Sequence, residues 1–276
     1  MRVAFLDFWP NFNPHNNFIT HCLRSLYEDV EIVHPMNAQY LFFSVFGSEN
    51  LGYNHCRRIA YTGENVPADR LLAYADYSLT FEPDTQRNKR LPLWYWYIDW
   101  FNVSSYGNPN FLIPVEWLNP ETNPLFERKK DKFCATIFSN PVDSRFEAMQ
   151  MIGSLGDVDA YGKCHRVQVD EGEKAKLHVL SQYKFSICFE NSMGYGYVTE
   201  KFLHARVAGN IPIYWGSDHC FIDFPAFCIY HNGNWDETLH FISSMMDMDM
   251  SNFLSNNILW DVSIEKPLAA IQYVTQ

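Results

Sequence analysis

The residues best suited to chemistry lie in one polar stretch, Phe189–Lys201, which reads FENSMGYGYVTEK. A short apolar run, Tyr183–Phe189, precedes this stretch, and a second run, Ile211–Trp215, follows it after a helix-like segment. The order of strand, glycine-containing loop and helix start places backbone N–H groups and the Lys201 ammonium where an anion can bind. We therefore expect a phosphate-binding site at the start of this helix.

Within this stretch, the helix is expected to begin at the Thr199-Glu200-Lys201 triplet. The Thr199 hydroxyl is predicted to cap a helix N–H, and the positive end of the helix dipole then faces the preceding loop. The glycines in Gly194–Tyr197 allow the backbone to approach a ligand closely, and the tyrosines offer flat faces and hydroxyls. The triplet alone is more typical of an ordinary helix cap with a solvent-facing Glu-Lys pair, whereas the whole stretch favours the binding site.

A second candidate for phosphate binding is Arg145, which lies on the first turns of a helix predicted to open with Pro141. That helix follows the apolar strand Phe133–Phe138, and ligands bind at the carboxyl ends of parallel strands. A guanidinium can hold a phosphate with two parallel hydrogen bonds. The alternative is an exposed helix arginine paired with Asp143 or Glu147.

A candidate base is Glu64, in the segment Ile59–Asn65, where a strand runs into a turn at Gly63. Transfer to a hydroxyl group requires a base within hydrogen-bond reach of that hydroxyl, and a carboxylate can accept its proton. The alternative is a glutamate that serves only to satisfy the amides of the turn.

The elements that must position these residues are strands alternating with helices, which imply parallel βαβ units. Helical spacing is seen in Phe18–Tyr27, Lys174–Gln182, Thr199–Ala208 and the region after Trp235. The predicted strands are Arg2–Leu6, Val30–Val33, Tyr40–Val45, Arg58–Tyr61, Tyr77–Phe81, Phe133–Phe138, Val158–Tyr161, Phe185–Phe189, Ile211–Trp215 and Phe227–Tyr230.

Between the two sets of strands, Pro83–Lys132 is rich in proline and asparagine and ends in a run of charges, which predicts a connection between two lobes. An aromatic cluster, Trp94–Phe101, lies inside it. Its rings suit either the core of the first lobe or a platform on which a sugar stacks, and the sequence leaves both open.

Composition restricts the choice of partners. The 276 residues carry a formal charge of −11, which argues against nucleic acid or an anionic membrane as the main partner. The seven cysteines include no CxxC pair, a pattern that suits a reducing compartment. The start of the chain turns polar too early for a signal peptide, and no apolar run is long enough for a membrane span. We expect a cytoplasmic protein, with peripheral association with a membrane left open.

Two pairs of aspartates are the only candidates considered for a metal: Asp157 with Asp159, and Asp247 with Asp249. Spaced aspartates bind metal–nucleotide complexes in some enzymes, but short pairs of this kind are common in solvated helix faces and strand edges. No metal ligand is therefore assigned, and stimulation by Mn²⁺ or Mg²⁺ is left open.

Three segments together resemble the α1,3/4-fucosyltransferase family of the bacterial and viral type: Tyr61–Asn65 (YTGEN), Lys132–Pro141 with Arg145 after it, and Phe189–Ser217. The resemblance implies an α/β protein with two Rossmann-like domains facing a cleft, the GT-B type of glycosyltransferase. Residues 1–125 would form the acceptor-side domain and residues 126–276 the GDP-fucose-binding domain, with a C-terminal helix that returns to the first domain left open.

The resemblance also implies roles for single residues. Lys201 and Arg145 would contact the donor phosphates, Glu200 would lie against the fucose, and Asn191 and Tyr197 would line the nucleotide. Glu64 matches the proposed general base.

The implied activity is inverting transfer of L-fucose from GDP-β-L-fucose to a hydroxyl of an acceptor glycan, with O3 of GlcNAc or Glc as the expected position. No cofactor is required for this reaction. The alternatives are a transferase for another GDP-sugar and a non-catalytic glycan- or nucleotide-binding protein.

Overall fold

The computed structural model of the chain describes residues 1–162, 172–224, 227–250, 253–254 and 262–276. The region after Trp235, for which a helix is predicted, falls partly outside these residues. One of the seven cysteines, Cys164, falls wholly outside them. Contacts within the chain define a first unit, Met1–Leu112 with Gly194–Tyr197 and Ser263–Gln276, and a second unit, Ile113–Met193 with Val198–Val262.

The first unit is built on a parallel sheet of six strands, counted over the described residues, in the order β2-β1-β3-β4-β5-β6. These strands are β1 (Arg2–Leu6), β2 (Glu31–Ile32), β3 (Tyr40–Phe43), β4 (Arg57–Tyr61), β5 (Tyr77–Thr80) and β6 (Asn88–Arg90). The helices of this unit are α1 (Phe18–Leu26) and α2 (Ala68–Leu72), and a short strand, β7 (Ile98–Asp99), follows the sheet.

Helix α1 forms where the sequence predicts it, because its apolar positions recur at helical spacing and Asn17 caps its start. The Asn17 side chain accepts a hydrogen bond from the Thr20 N–H at 3.0 Å, which satisfies an amide that the helix itself leaves unpaired. The last helix of the chain, Glu265–Thr275, packs against α1, and the Thr275 hydroxyl lies 2.8 Å from the Tyr27 hydroxyl.

The second unit is built on a parallel sheet of five strands within the described residues, in the order β10-β9-β11-β12-β13. Its strands are β8 (Ile113–Pro114), outside that sheet, and β9 (Lys132–Ile137), β10 (Val158–Tyr161), β11 (Tyr183–Phe189), β12 (Ile211–Trp215) and β13 (Ile229–Tyr230) within it. Its helices are α3 (Asp143–Ile152), α4 (Glu173–Leu180), α5 (Glu200–Val207), α6 (Cys220–Asp223) and α7 (Trp235–Met245), and the C-terminal helix of the first unit is α8.

The core of the second unit explains why its central strands are rich in apolar residues. β11 lies between β9 and β12, and Phe185, Ile187 and Phe189 on it are buried together with Ile211 and Ile213 of β12. A strand covered by helices on both faces shows no alternation of polar and apolar residues.

The prediction that Pro83–Lys132 is a connection between two lobes is wrong for its first part. β6 lies within it and pairs with β5 at the edge of the first sheet, and Trp94 and Trp96 are buried beside that sheet. Proline and asparagine punctuate this segment, but its aromatic rings bury enough apolar surface to hold it in the first unit. The division by contacts falls after Leu112, whereas the sequence-based hypothesis placed it after residue 125.

The start of α3 also differs from its prediction. The helix begins at Asp143 and not at Pro141, because Val142 is still extended, with φ −114° and ψ 133°. The extended residues leave the Asn140 carbonyl in position to accept a hydrogen bond from Nη1 of Arg145 at 3.0 Å.

No helix in the part of the chain that the structure describes is long and apolar enough to cross a membrane.

Candidate active site

The centre of the second unit's polar site is Glu190, the first residue after β11, whose side chain is 0% exposed. One carboxylate oxygen accepts a hydrogen bond from the Thr199 N–H at 2.7 Å. The other accepts from the Thr199 hydroxyl at 2.7 Å and from Nζ of Lys201 at 3.1 Å. A buried carboxylate is costly unless its oxygens are satisfied, and these three bonds supply the compensation.

This arrangement corrects the prediction for the start of α5. Thr199 is the N-cap residue by its backbone, but its side chain makes no capping hydrogen bond. Its hydroxyl instead donates to Glu190 and accepts from Nζ of Lys201 at 2.8 Å. Glu190 therefore anchors the start of the helix from the end of the neighbouring strand.

Lys201 and Glu200 are both charged in this site. Nζ of Lys201 lies 3.1 Å from a Glu190 oxygen and 3.7 Å from a Glu200 oxygen. Burial lowers the pKa of Lys201, but the charges of Glu190 and Glu200 outweigh burial and raise it above its usual value. For Glu200, burial raises the pKa, but the charges of Lys201, His204 and Lys176 outweigh it and lower the pKa to about 2.

Arg145 reaches the same site from α3 and is 2% exposed, which contradicts the alternative of an exposed helix arginine. Its Nε and Nη2 donate to the Phe189 carbonyl at 3.0 and 2.7 Å, and Nη2 also donates to Oδ1 of Asn191 at 2.6 Å. Phe189 and Asn191 flank Glu190 in sequence. The charge of Arg145 lowers the pKa of Lys201, but by less than the two carboxylates raise it. The two cations are therefore close enough to interact electrostatically.

Next to this arrangement, the second unit has a small cavity lined by polar side chains, among them Glu200, Lys201, His204 and Lys176. Nε2 of His204 lies 3.1 Å from an oxygen of Glu173, and burial is the main reason why the pKa of His204 is lowered. The sequence does not identify this histidine, because one histidine four residues after Glu200 has no distinctive spacing.

Glu64 lies in the first unit, in the turn that follows β4, and its side chain is exposed. The turn is held by Thr62, whose hydroxyl accepts a hydrogen bond from the Glu64 N–H at 2.9 Å. A side chain at Gly63 would place its Cβ 2.9 Å from a methyl of Leu93, so only glycine fits without displacement. Because Thr62 satisfies the amide of this turn, the Glu64 carboxylate is not needed for that purpose.

Tyr197 and the residues just before it are counted with the first unit by their contacts. Its buried ring packs edge-on against Phe81, with ring centres 4.6 Å apart. Gly196 has φ +75°, and a Cβ there would lie 2.3 Å from the Phe81 carbonyl oxygen, while Arg90 donates to the Gly196 carbonyl at 3.0 Å. The glycine thus lets this backbone pack against a protein carbonyl, in addition to any ligand role.

The structure therefore brings together Arg145, Asn191, Glu200 and Lys201 in the second unit, and it places Glu64 and Tyr197 in the first. Sequence reasoning missed Glu190 as a site residue. The sequence signal for Glu190 is its position directly after an apolar strand and within a polar motif. An acidic residue is buried at such a position only if it has partners.

Three of the four aspartates, Asp159, Asp247 and Asp249, lie near other polar groups. Asp159 accepts a hydrogen bond from the Tyr183 hydroxyl at 2.5 Å and lies 3.9 Å from Nζ of Lys132. Asp247 and Asp249 act on the pKa of Lys184. Burial lowers this pKa, and the charges of the two carboxylates raise it in part. Among the described residues, no group of three or more metal-ligating side chains is found.

Comparison with solved structures defines the class of the fold. A crystal structure of α1,3-fucosyltransferase, 25% identical in sequence, aligns over 100% of this chain and 90% of its own with a TM-score of 0.73. A crystal structure of α1,3-fucosyltransferase with GDP-fucose, 23% identical, has the same coverage and a TM-score of 0.72. The predicted α/β fold with two Rossmann-like domains, the GT-B type of glycosyltransferase, is confirmed.

Comparison of sequences gives the family. The model of the α-(1,3)-fucosyltransferase FucT N-terminal domain matches residues 3–97, and that of the glycosyltransferase family 10 (fucosyltransferase) C-terminal part matches residues 127–231. The α-(1,3)-fucosyltransferase FucT of Helicobacter pylori is 30% identical over 246 residues, which cover 79% of this chain and 48% of the relative. The chain thus spans about half the length of that relative, and it belongs to the fucosyltransferase family, glycosyltransferase family 10.

Proposed function

We propose that this chain is an α1,3-fucosyltransferase, which moves L-fucose from GDP-β-L-fucose to a hydroxyl of an acceptor glycan. The observation that carries the proposal is the pair of cations, the buried Arg145 and the partly buried Lys201, around Glu190 at the carboxyl end of β11. This is the edge of a parallel sheet where ligands bind, and two cations there suit a diphosphate. The FucT protein of Helicobacter pylori and the structure solved with GDP-fucose support the choice of donor.

The donor would bind the second unit. The Lys201 ammonium has three N–H groups, and within the described residues two of them are hydrogen-bonded, to Glu190 and to Thr199. The third is available to a phosphate oxygen of the donor. Asn191 is proposed to line the nucleotide, as the family resemblance implies. The resemblance implies the same role for Tyr197, which is counted with the first unit by its contacts.

Glu200 would lie against the fucose ring. The neighbouring cations outweigh burial and hold its pKa at about 2, so Glu200 stays ionised throughout the physiological range. An ionised carboxylate next to the sugar ring stabilises the positive charge that develops there as the bond to the leaving diphosphate lengthens.

The proposed reaction is a single displacement with inversion at C1 of fucose. The acceptor oxygen attacks C1 and forms the new C–O bond, while the bond from C1 to the diphosphate oxygen breaks and its electron pair leaves with GDP. The acceptor hydroxyl proton passes to the Glu64 carboxylate. Arg145 and Lys201 stabilise the negative charge on the departing GDP, so the proposed mechanism needs no metal ion.

The test is GDP release from GDP-fucose, measured with and without N-acetyllactosamine, lactose and N-acetylglucosamine, first in EDTA and then with Mn²⁺. Release that depends on acceptor in EDTA is expected. Release only with Mn²⁺ would overturn the metal-independent mechanism and direct attention to the aspartate pairs. Turnover of a different GDP-sugar in preference to GDP-fucose would reassign the donor, and GDP binding without turnover of any donor would favour a non-catalytic protein.

Substitution of the proposed base separates chemistry from donor binding. Glu64→Gln keeps the size of the side chain but removes its ability to accept a proton, and it is expected to lower kcat by roughly 10²–10⁴-fold with no change in GDP affinity. Glu28→Gln, an exposed glutamate of the same unit, is the matched control. Normal turnover by Glu64→Gln would remove Glu64 from the mechanism. The acceptor position, O3 of GlcNAc or Glc, and the cytoplasmic location stay predictions from the sequence.

A further inference from the structure

Glu64 lies between two cavities of the first unit. The first, here called the aromatic cavity, has a volume of about 150 Å³, and its lining includes Trp9, Leu93, Trp96 and Tyr97. The second, here called the loop groove, has a volume of about 560 Å³, and its lining includes Leu51, Arg70 and Tyr74. Both are also lined by Phe46 and Glu64, so these two side chains form the boundary between the cavities.

The aromatic cavity has the chemistry of a sugar-binding site. The rings of Trp9 and Trp96 meet edge to face with centres 5.2 Å apart, and Phe46 meets Trp9 at an interplanar angle of 88°. Aromatic faces bind the C–H faces of pyranose rings, while a small number of polar groups fix the orientation of the ligand.

Trp96 contributes to the lining of this cavity with a ring that is almost wholly buried. Trp96 is buried, and its N–H has no hydrogen-bond partner among the residues that the structure describes. Since Glu64 is the one carboxylic acid among the described residues that line this cavity, and no lysine or arginine lines it, an uncharged ring fits better than an acidic one.

The boundary between the two cavities is held in place before any ligand binds. Phe46 lies in the loop after β3, and the Asp7 carboxylate accepts hydrogen bonds from the N–H groups of Glu49 and Asn50 at 3.0 and 2.9 Å. Asp7 itself has φ +58°, and a Cβ at Gly47 would lie 2.3 Å from an Asp7 oxygen. A loop packed this tightly presents Phe46 in a fixed position, which lowers the entropic cost of binding.

We propose that the two cavities form one acceptor site with two saccharide subsites, divided by Phe46. The ring that carries the reacting hydroxyl occupies the aromatic cavity, and the next ring of the acceptor occupies the loop groove. This inference rests on the proposed function, because Glu64 must lie within hydrogen-bond reach of the reacting hydroxyl if it is the base. The volume of the loop groove is within the range of about 300–1,000 Å³ that is usual for ligand pockets.

The placement predicts different effects for residues of the boundary and of the groove. Phe46 borders both subsites and is 49% exposed, so its truncation should not unfold the protein. Phe46→Ala is expected to raise KM roughly tenfold for both N-acetylglucosamine and N-acetyllactosamine, the loss of one aromatic contact with each ring. Leu51 borders the groove alone, so Leu51→Ala is expected to raise KM severalfold for the disaccharide and to leave KM for the monosaccharide unchanged.

The matched control is Phe241→Ala on α7, a phenylalanine that is 48% exposed and belongs to the second unit. It should change neither acceptor KM, and KM for GDP-fucose should stay the same in all three variants. Thermal unfolding of each variant checks that the fold is retained. Unchanged KM for both acceptors in Phe46→Ala and Leu51→Ala, with normal turnover, would overturn the two-subsite site while leaving the proposed function intact.

A binding measurement keeps the two hypotheses separate if no acceptor is turned over. Calorimetric titration of N-acetyllactosamine into the protein with GDP present gives the acceptor affinity without catalysis. Binding that Phe46→Ala weakens would support the subsites and count against the transferase activity. No binding of the disaccharide to the wild-type protein would overturn the subsites.

Discussion

Replacement of Glu190 should be among the most damaging changes in the second unit, because this buried carboxylate has Lys201 as its counter-ion. Glu190→Gln keeps the shape of the side chain but leaves the Lys201 ammonium without its nearest opposite charge. Loss of one partner from a buried ion pair costs about 3–5 kcal/mol. Lys201 retains part of its exposure and the more distant Glu200 at 3.7 Å, so we expect a loss near the lower end, about 3 kcal/mol.

The substitution should also weaken the donor site. Glu190 raises the pKa of Lys201 against the effect of burial, and its oxygens hold Thr199 and Lys201 at the start of α5. Without the carboxylate, the lysine loses both its position and part of its tendency to remain charged. GDP affinity is expected to fall roughly tenfold, the effect of one charge-assisted hydrogen bond of about 1.5 kcal/mol.

Urea unfolding monitored by tryptophan fluorescence measures the stability change, and calorimetric titration measures GDP affinity. Glu127→Gln, an exposed glutamate of the same unit, is the control and should change neither. A second variant, Glu190→Gln with Lys201→Met, removes both charges and should recover most of the lost stability but not GDP binding. If Glu190→Gln unfolds within 1 kcal/mol of the wild type (roughly the worth of an exposed pair) and binds GDP normally, the account of this site is wrong.

Three further predictions concern neighbouring residues. The pKa of Glu200 is lowered from 4.5 to about 2, so its ionised form stabilises the fold above pH 4.5, and this contribution, at most roughly 3 kcal/mol, disappears as the pH falls towards 2. Urea unfolding of the wild type and of Glu200→Gln at pH 7, 5 and 3.5 should therefore show a difference in unfolding free energy that shrinks only at the lowest pH. A difference that is the same at all three pH values would contradict this prediction. Arg145→Ala removes both donors to the Phe189 carbonyl and should lower both the unfolding free energy and GDP affinity; unchanged calorimetric GDP binding would exclude its phosphate role. Gly196→Ala should lower the stability measured by thermal unfolding more than Gly107→Ala does, because both glycines have positive φ but only a Cβ at Gly196 would meet a backbone oxygen. Equal losses of stability, each about 1–2 kcal/mol, would show that the contact with Phe81 relaxes.

The sequence by itself determined the fold class and most of the strands. β1, β4, β11 and β12 lie within a residue or two of the predicted positions, because buried strands are rich in apolar residues, and such segments are visible without any partner. The motif around Lys201 was also visible, since glycine, threonine and lysine at a helix start are a local pattern.

Tertiary structure alone decided how the site is held together. Arg145 binds the carbonyl of Phe189, 44 residues away in sequence, and Glu190, directly after β11, anchors Thr199 at the start of α5. Gly196 packs against the carbonyl of Phe81, and α8 packs against α1 from the other end of the chain. These contacts depend on the order and register of the parallel strands, which bring distant segments to one sheet edge. Periodicity and spacing describe only neighbours along the chain, so the sequence could offer candidate residues for the chemistry but not the partners that position them.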